Sequence, residues 1–379
     1  MKVQMHTSLE PKRTSCARLT LQVVLFGVIT LTLSSALFIS YIGLPRSADL
    51  ASTTAAHAWA KANPTGTRFA YMLYATTKIS MCNAVIMAHN IRRLGTPPSI
   101  AIVILASVKL DSHPTSEWSA ALDAANALQV PVEPWTSSSL QGRSSVWWES
   151  LTKLRIFEER GYDKVVYLDA DMWLHRNLDH LFMLKRNNDV NDDPHEPPPR
   201  SHQATLDQPK ATSTDVDSSM LWAPRAYYIS PQPFFASTLM VFTPSNARFR
   251  QLYDAVTQST RQDYFDMDVL NDVWDPVTFL PSHYVVLNSE LLNSPSLVFE
   301  FANASDRIAH TYAHHFSALP NGTYGKPWEV DRPVGHKWRT KRKAAPLFYQ
   351  LFDMYLDAND RLCPWLQPRD VGRHPPQDS

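Results

Sequence analysis

The sequence predicts an α/β protein with a doubly wound, mostly parallel sheet, preceded by one membrane-spanning helix. Three observations carry this expectation. From Phe69 onward short apolar runs alternate with amphipathic stretches, the pattern of parallel βαβ units. Leu19 to Leu44 contains no charged residue, and its roughly 26 residues would reach about 39 Å as a helix, more than a hydrocarbon core of about 30 Å. The third is VVYLDADMWLHRNLDHLF, residues 165–182, an apolar run that breaks into two aspartates one residue apart.

Lys2, Lys12, Arg13 and Arg18 precede the span, against Arg46 and Asp49 after it. This bias predicts a cytoplasmic tail over 1–18, a signal anchor over 19–44 and a lumenal remainder. The span is too long for the apolar region of an ordinary cleaved leader, although the small residues of Ser47 to Ala51 leave cleavage open. Residues 45–66, rich in Ala, Ser, Thr and Pro, read as a stem, and the folded part as 67–366. Within it we expect a strand over Phe69 to Tyr74, a helix over Met81 to Leu94, a strand over Ile100 to Leu105 and a helix over Ser116 to Leu128. Val130 to Val132 and Lys164 to Leu168 continue the strands. Residues 187–219 have almost no large apolar side chain and read as a disordered insertion, as does the tail 367–379. Order resumes with a strand over Phe234 to Phe242 and a helix over Ser245 to Ser259, whose apolar stripe is core.

Composition narrows the function classes. Thirty-six basic residues balance thirty-six acidic ones, so nothing favours a nucleic acid or other polyanion as partner. Three cysteines cannot build a disulfide scaffold; Cys16 lies at the cytoplasmic edge of the span, and Cys82 and Cys363 are expected as free buried thiols, with a lumenal pair as the alternative. Asn303 with Ser305 and Asn321 with Thr323 are glycosylation acceptor patterns. The chain has 10 glycines, no G-x-G-x-x-G and no Walker lysine loop, so a phosphate-bearing ligand would need a metal or basic side chains.

The aspartate pair carries the chemistry. Val165 to Leu168 reads as an interior strand of a parallel sheet, and Asp169 alone could cap the next segment. A cap explains one carboxylate and not two. Alternate residues of an extended chain project the same way, so Asp169 and Asp171 converge on one object. A divalent cation with oxygen ligands, off the carboxyl end of a strand, is the natural choice.

Six segments, in order, resemble glycosyltransferase family 8, the glycogenin-like enzymes, and within it the fungal Golgi N-acetylglucosaminyltransferases. They are YATTKISMCNAVIMAHNIRRLG (74–95), SLTKLRIF (150–157), the D-x-D segment, APRAYYISPQPFFASTLMVFTPS (223–245), FDMDVLNDVW (265–274) and HHFSALPNGTYGKPW (314–328). The resemblance implies a GT-A type nucleotide-diphospho-sugar transferase fold and a retaining, Mn²⁺-dependent transfer from a UDP-sugar to a glycan or glycoprotein in the Golgi lumen. It also implies the site. Asp169 and Asp171 match the pair that holds Mn²⁺ and the donor, and His315 the third metal ligand. Lys326 and Lys153 match basic donor contacts, Thr76 and Thr77 lie where the family binds uracil, and Asp266 matches an acid near donor sugar and acceptor. Asp268 would face solvent or cap a helix. DMD in place of D-Q-G, and Ala236 in place of a polar residue, suit N-acetylglucosamine over glucose as the donor sugar. The stretch between His315 and Lys326 is longer than typical.

Three other classes stay in view. A UDP-glucose or UDP-galactose transferase of the same family is one alternative, which DMD and Ala236 weigh against for glucose. A haloacid-dehalogenase-type phosphatase also ends a strand on D-x-D, but on its first strand, whereas here at least three strands come first. A non-catalytic, membrane-tethered scaffold or lectin is opposed by the intact Asp169, Asp171 and His315.

Overall fold

A computed structural model of the protein describes residues 68–366, apart from 111–115, 136–147, 185–219, 230–233, 262, 293–303, 331–336, 338 and 342. The tail, span, stem, insertion, C-terminal tail and Asn303 expected from sequence lie outside the described residues. Among those described, no helix is long and apolar enough to cross a membrane.

β1 (Phe69–Ala75), β2 (Ala101–Ser107), β3 (Ala127–Val132) and β4 (Lys164–Leu168) are parallel to one another, in the order β3-β2-β1-β4. Their near-continuous apolar sequence reflects burial on both faces. The sheet continues through β7 (Leu239–Phe242), β6 (Leu221–Pro224) and β8 (Val277–Leu280), with β7 antiparallel to both of its neighbours. The order reverses between β1 and β4. That reversal opens a crevice at their carboxyl ends, where sheets of this kind bind ligands.

The helices begin and end where local chemistry dictates. α1 (Lys78–Arg93) starts three residues before the expected Met81, because Thr77 caps it: its Oγ1 accepts from Ser80 N at 3.2 Å and Thr77 N donates to Ser80 Oγ at 2.8 Å. α2 (Ser116–Ala124) stops short of the expected Leu128, since Asn126 takes φ +47 and turns the chain into β3. α3 (Asn246–Gln258) is capped by Ser245. The expected strand over Phe234 to Phe242 shrinks to β7; Phe235 makes only an isolated bridge to Arg225, and Ser237 and Thr238 form a turn.

A second, small sheet sits beside the first. β5 (Met172–Leu174) pairs antiparallel with β10 (Ala313–His315), which runs parallel to β9 (Val285–Leu287). α4 (Asp266–Val273) lies between β7 and β8 of the large sheet, α5 (Ala304–His310) between β9 and β10 of the small one, and α6 (Pro346–Leu362) packs against α1, where Tyr355 Oη donates to Asn83 Oδ1 at 2.7 Å.

Cys82 and Cys363, expected as free thiols, are instead joined in a disulfide, with Cα atoms 5.7 Å apart. The two cysteines are 281 residues apart, and only the packing of α6 on α1 brings them together. Closing so long a loop restricts the unfolded chain by about 5 kcal/mol in the loop-entropy account. Cys82→Ser with Cys363→Ser is therefore expected to lower Tm markedly, and dithiothreitol to lower the wild-type Tm while leaving the double variant unchanged. Equal melting with and without reductant would contradict this.

Candidate active site

The two aspartates reach one place through a turn rather than along a continuing strand. Asp169 follows β4 directly, its N donating to Thr238 O at 2.8 Å as a last rung toward β7. The chain then turns through Ala170 and Asp171 into β5, and Phe316 N donates to Asp171 O at 3.1 Å, which ties the second aspartate to the end of β10. Since β10 ends at His315, the imidazole arrives beside Asp171: Nε2 lies 3.2 Å from Asp171 Oδ2. One ligand atom from each of Asp169, Asp171 and His315 falls within a 4.8 Å cluster.

Two buried lysines complete the constellation. Lys153, only 4% exposed on the 3-10 segment Trp148–Phe157, places Nζ 3.0 Å from Asp169 Oδ1 and 2.7 Å from Asp266 Oδ2, and donates to Ser237 Oγ at 3.0 Å. Ser237 Oγ in turn donates to Asp266 Oδ2 at 2.9 Å. Lys326 donates to Asp171 Oδ2 at 2.7 Å and to the Phe316 carbonyl. Each aspartate of the pair thus has its own ammonium partner.

Burial and charge set the protonation states. Burial opposes the charge on Lys153, but Asp169 and Asp266 outweigh it and hold its ammonium above the usual lysine range. Asp266 falls below the usual carboxylate range: burial opposes, and Lys153 with Ser237 prevails. Burial likewise works against Asp171, which His315 and Lys326 nevertheless hold well below that range. At Asp169 burial pushes the carboxyl upward against the pull of Lys153.

The family resemblance implies a divalent metal, and the residues fit one. Two carboxylates and an imidazole make a mixed oxygen and nitrogen set suited to Mn²⁺, whereas closed zinc sites favour thiolates and histidines. His315 Nδ1 is buried and finds no hydrogen-bond partner among the described residues. Asp169, Asp171 and Asp266 oppose two ammonium groups, so the cluster keeps a net negative charge into which a dication fits.

The other expected site residues resolve differently. The hydroxyl of Thr77 serves the α1 cap, while Thr76 N donates to Ser80 Oγ at 2.9 Å, so both threonines lie at the carboxyl end of β1, across the crevice from Asp169. Asp268 caps α4 by accepting from Phe265 N at 3.2 Å and takes no part in the cluster. The extended stretch before Lys326 folds on itself: Leu319 N donates to Thr323 O at 2.8 Å, and Gly322, at φ +89, returns the chain. Gly325 then passes so near Leu319 that a Cβ would lie 2.7 Å from its Cγ. The added residues loop outward, and Lys326 still reaches Asp171. Sequence reasoning missed Tyr167, whose hydroxyl donates to Asp169 Oδ1 from two residues upstream, and the bridging role of Ser237. Nothing in a strand's sequence says which of its tyrosines will meet a carboxylate beyond its end.

The chain matches no family model. It is 26% identical over 281 residues to a protein named glucose N-acetyltransferase 1 of Gibberella zeae, a match that covers 70% of this chain and 54% of that protein. Over 214 residues it is 27% identical to galactinol synthase 5 of Arabidopsis thaliana, covering 55% of this chain and 58% of that one. Among solved structures, the WbbM bifunctional glycosyltransferase superposes with a TM-score of 0.48 and 13% identity, over 82% of this chain and 52% of that chain. The matches span about half to two thirds of the length of the fungal relatives. The six motifs in register and these sequence similarities agree in making the chain similar to family 8 glycosyltransferases, the fungal N-acetylglucosaminyltransferases among them.

Proposed function

We propose that the protein is a retaining, Mn²⁺-dependent glycosyltransferase of GT-A type that moves N-acetylglucosamine from UDP to a glycan or glycoprotein acceptor. The observation that carries this is the convergence of Asp169, Asp171 and His315 with Lys153, Lys326 and Asp266 at the carboxyl ends of β1 and β4. In this reading Asp169, Asp171 and His315 would hold the ion, which would supply positive charge to stabilise the negative charge that develops on the leaving diphosphate. Lys326 adds a second cation on the same side. Lys153 is tied to two carboxylates and a serine, so its work is to keep Asp169 and Asp266 ionised and aimed. Asp266 is then the anionic group on offer to the sugar carbon as that carbon becomes cationic. The bond from the anomeric carbon to the β-phosphate oxygen breaks with its electron pair leaving on UDP. The acceptor oxygen bonds to the same face of the sugar, and its proton passes to the departing phosphate.

The proposed setting is the Golgi lumen, with Leu19 to Leu44 as a type II anchor. A disulfide and an exposed acceptor asparagine, Asn321, suit that oxidising, glycosylating compartment. The test is UDP release from UDP-N-acetylglucosamine, UDP-galactose and UDP-glucose with Mn²⁺ or with EDTA. UDP-N-acetylglucosamine is expected to be the best donor, with release abolished by EDTA. Metal-independent release, or none from any donor, would overturn the proposal.

A further inference from the structure

Five large hydrophobic side chains remain exposed among the described residues, and two of them, Tyr228 and Tyr324, lie near enough to the cluster for Asp169 and Asp171 to act on their hydroxyls, with Ile229 next in the chain after Tyr228. Surface aromatics are ordinary when scattered, but a pair flanking a site of buried charge asks for a ligand. Lys326 Nζ stands 5.5 Å from the centre of the Tyr324 ring while it holds Asp171, so Tyr324 walls the His315 side.

Tyr228 walls the other side, and its place is built in. Phe235 is gripped by Asn271 of α4, the helix that begins with Asp266: Phe235 N donates to Asn271 Oδ1 at 2.9 Å and Asn271 Nδ2 to Phe235 O at 3.0 Å. Across the isolated bridge from Phe235 to Arg225, the chain turns from Ala226 to Ile229, with Ile229 N donating to Ala226 O at 2.8 Å. Tyr227 Oη then accepts from Leu287 N at 3.1 Å and donates to Glu290, and Leu287 is the register partner of His315. One end of this stretch is therefore stitched to the Asp266 helix and the other to the strand beside His315. Tyr228, edge-on to Tyr227 with ring centres 5.6 Å apart, is 46% exposed; burial first, then the Asp169 carboxylate, pushes its hydroxyl up to about 12.

We propose that Tyr228 and Tyr324 form the acceptor subsite and hold the pyranose ring of a saccharide, with Tyr227 as the residue that positions Tyr228. This rests on the transferase reading above. Two flat tyrosine faces fit the C–H faces of a pyranose, and it is these faces, rather than the phenol hydroxyls, that the subsite offers the sugar. A lipid acceptor would require a broad continuous apolar patch, and among the described residues two separate rings with one isoleucine are too small for that.

The test measures KM for acceptor saccharides, with methyl α-mannoside, methyl β-galactoside and lactose as probes, by acceptor-stimulated UDP release. At least one probe is expected to accelerate release by the wild type. Tyr228→Ala and Tyr324→Ala should each raise KM for that probe about tenfold with kcat changed less than threefold, whereas Tyr228→Phe stays within threefold. Tyr227→Phe, which loses the bonds to Leu287 and Glu290 but keeps its ring, should raise KM with kcat little changed. Calorimetry of UDP with Mn²⁺ checks that the alanine variants stay folded and hold the donor within twofold of wild type. Unchanged KM in the alanine variants, a parallel loss of UDP affinity, or no stimulation by any probe of a wild type that binds UDP would each overturn the inference. A wild type that binds no UDP overturns the transferase reading itself, and this inference with it.

Discussion

Asp171→Asn is expected to weaken binding of UDP in the presence of Mn²⁺ by at least about 100-fold, the scale that outer partners of metal ligands alone can reach. The substitution keeps the shape of the side chain and removes its charge. It also leaves Lys326, 7% exposed, without its ion-pair partner, so a drop in Tm of a few degrees accompanies the loss. The sign of the pH dependence is set by the same contacts. Asp171 is held well below the ordinary carboxylate range by His315 and Lys326 against burial, so its contribution to stability is full above about pH 4 and fades as pH falls further. The Tm gap between variant and wild type should therefore narrow in acid. His315→Ala should mimic the binding defect, and the double variant should cost less than the sum of the two singles, because both remove ligands from one ion. Calorimetric titration with and without Mn²⁺ measures all three. Wild-type affinity in either single variant would remove that residue from the ligand set.

Lys153→Met should produce the opposite balance, with stability rather than ligand affinity as the first loss. Its ammonium is the shared partner of Asp169 and Asp266, and without it two buried carboxylates face each other uncompensated. Breaking such a buried arrangement by removing one partner costs about 3 to 5 kcal/mol, which corresponds to a fall in Tm on the order of 10 °C. In the wild type Lys153 has a raised folded-state pKa, so its contribution is complete below about pH 10.5 and is lost only above that. In the variant the stranded carboxyls take up protons more readily folded than unfolded. The deficit should then be largest at pH 8 and shrink as pH falls toward 4. Thermal melts at pH 5 and pH 8 decide the matter: an equal Tm for wild type and variant at pH 8 would show that Lys153 does not hold the carboxylates in place.

The amino-acid sequence by itself determined what local chemistry can determine. The central strands are legible because burial on both faces makes them continuously apolar, and the β4 boundary coincides with Lys164 to Leu168 as read from the residues alone. Asp169 and Asp171 stood out because two carboxylates at a strand end exceed what a cap requires, and His315, Lys153, Lys326 and Asp266 came from motifs in register with a known family. The tertiary structure decided which of these groups meet. Lys153 sits on a segment between β3 and β4, Asp266 opens a helix beyond β7, and nothing local in either sequence pairs them; the antiparallel insertion of β7 beside β4 does. The same holds for Cys82 and Cys363, whose joining depends on where α6 lies against α1. Tyr228 lies in a segment that carries the resemblance, but no role there was legible from the residues, and its place at the site comes from bonds that Tyr227 and Phe235 make to two distant elements. Sequence patterns record contacts a few residues apart along one element, whereas a buried ion pair or a site wall is defined by elements converging from across the chain.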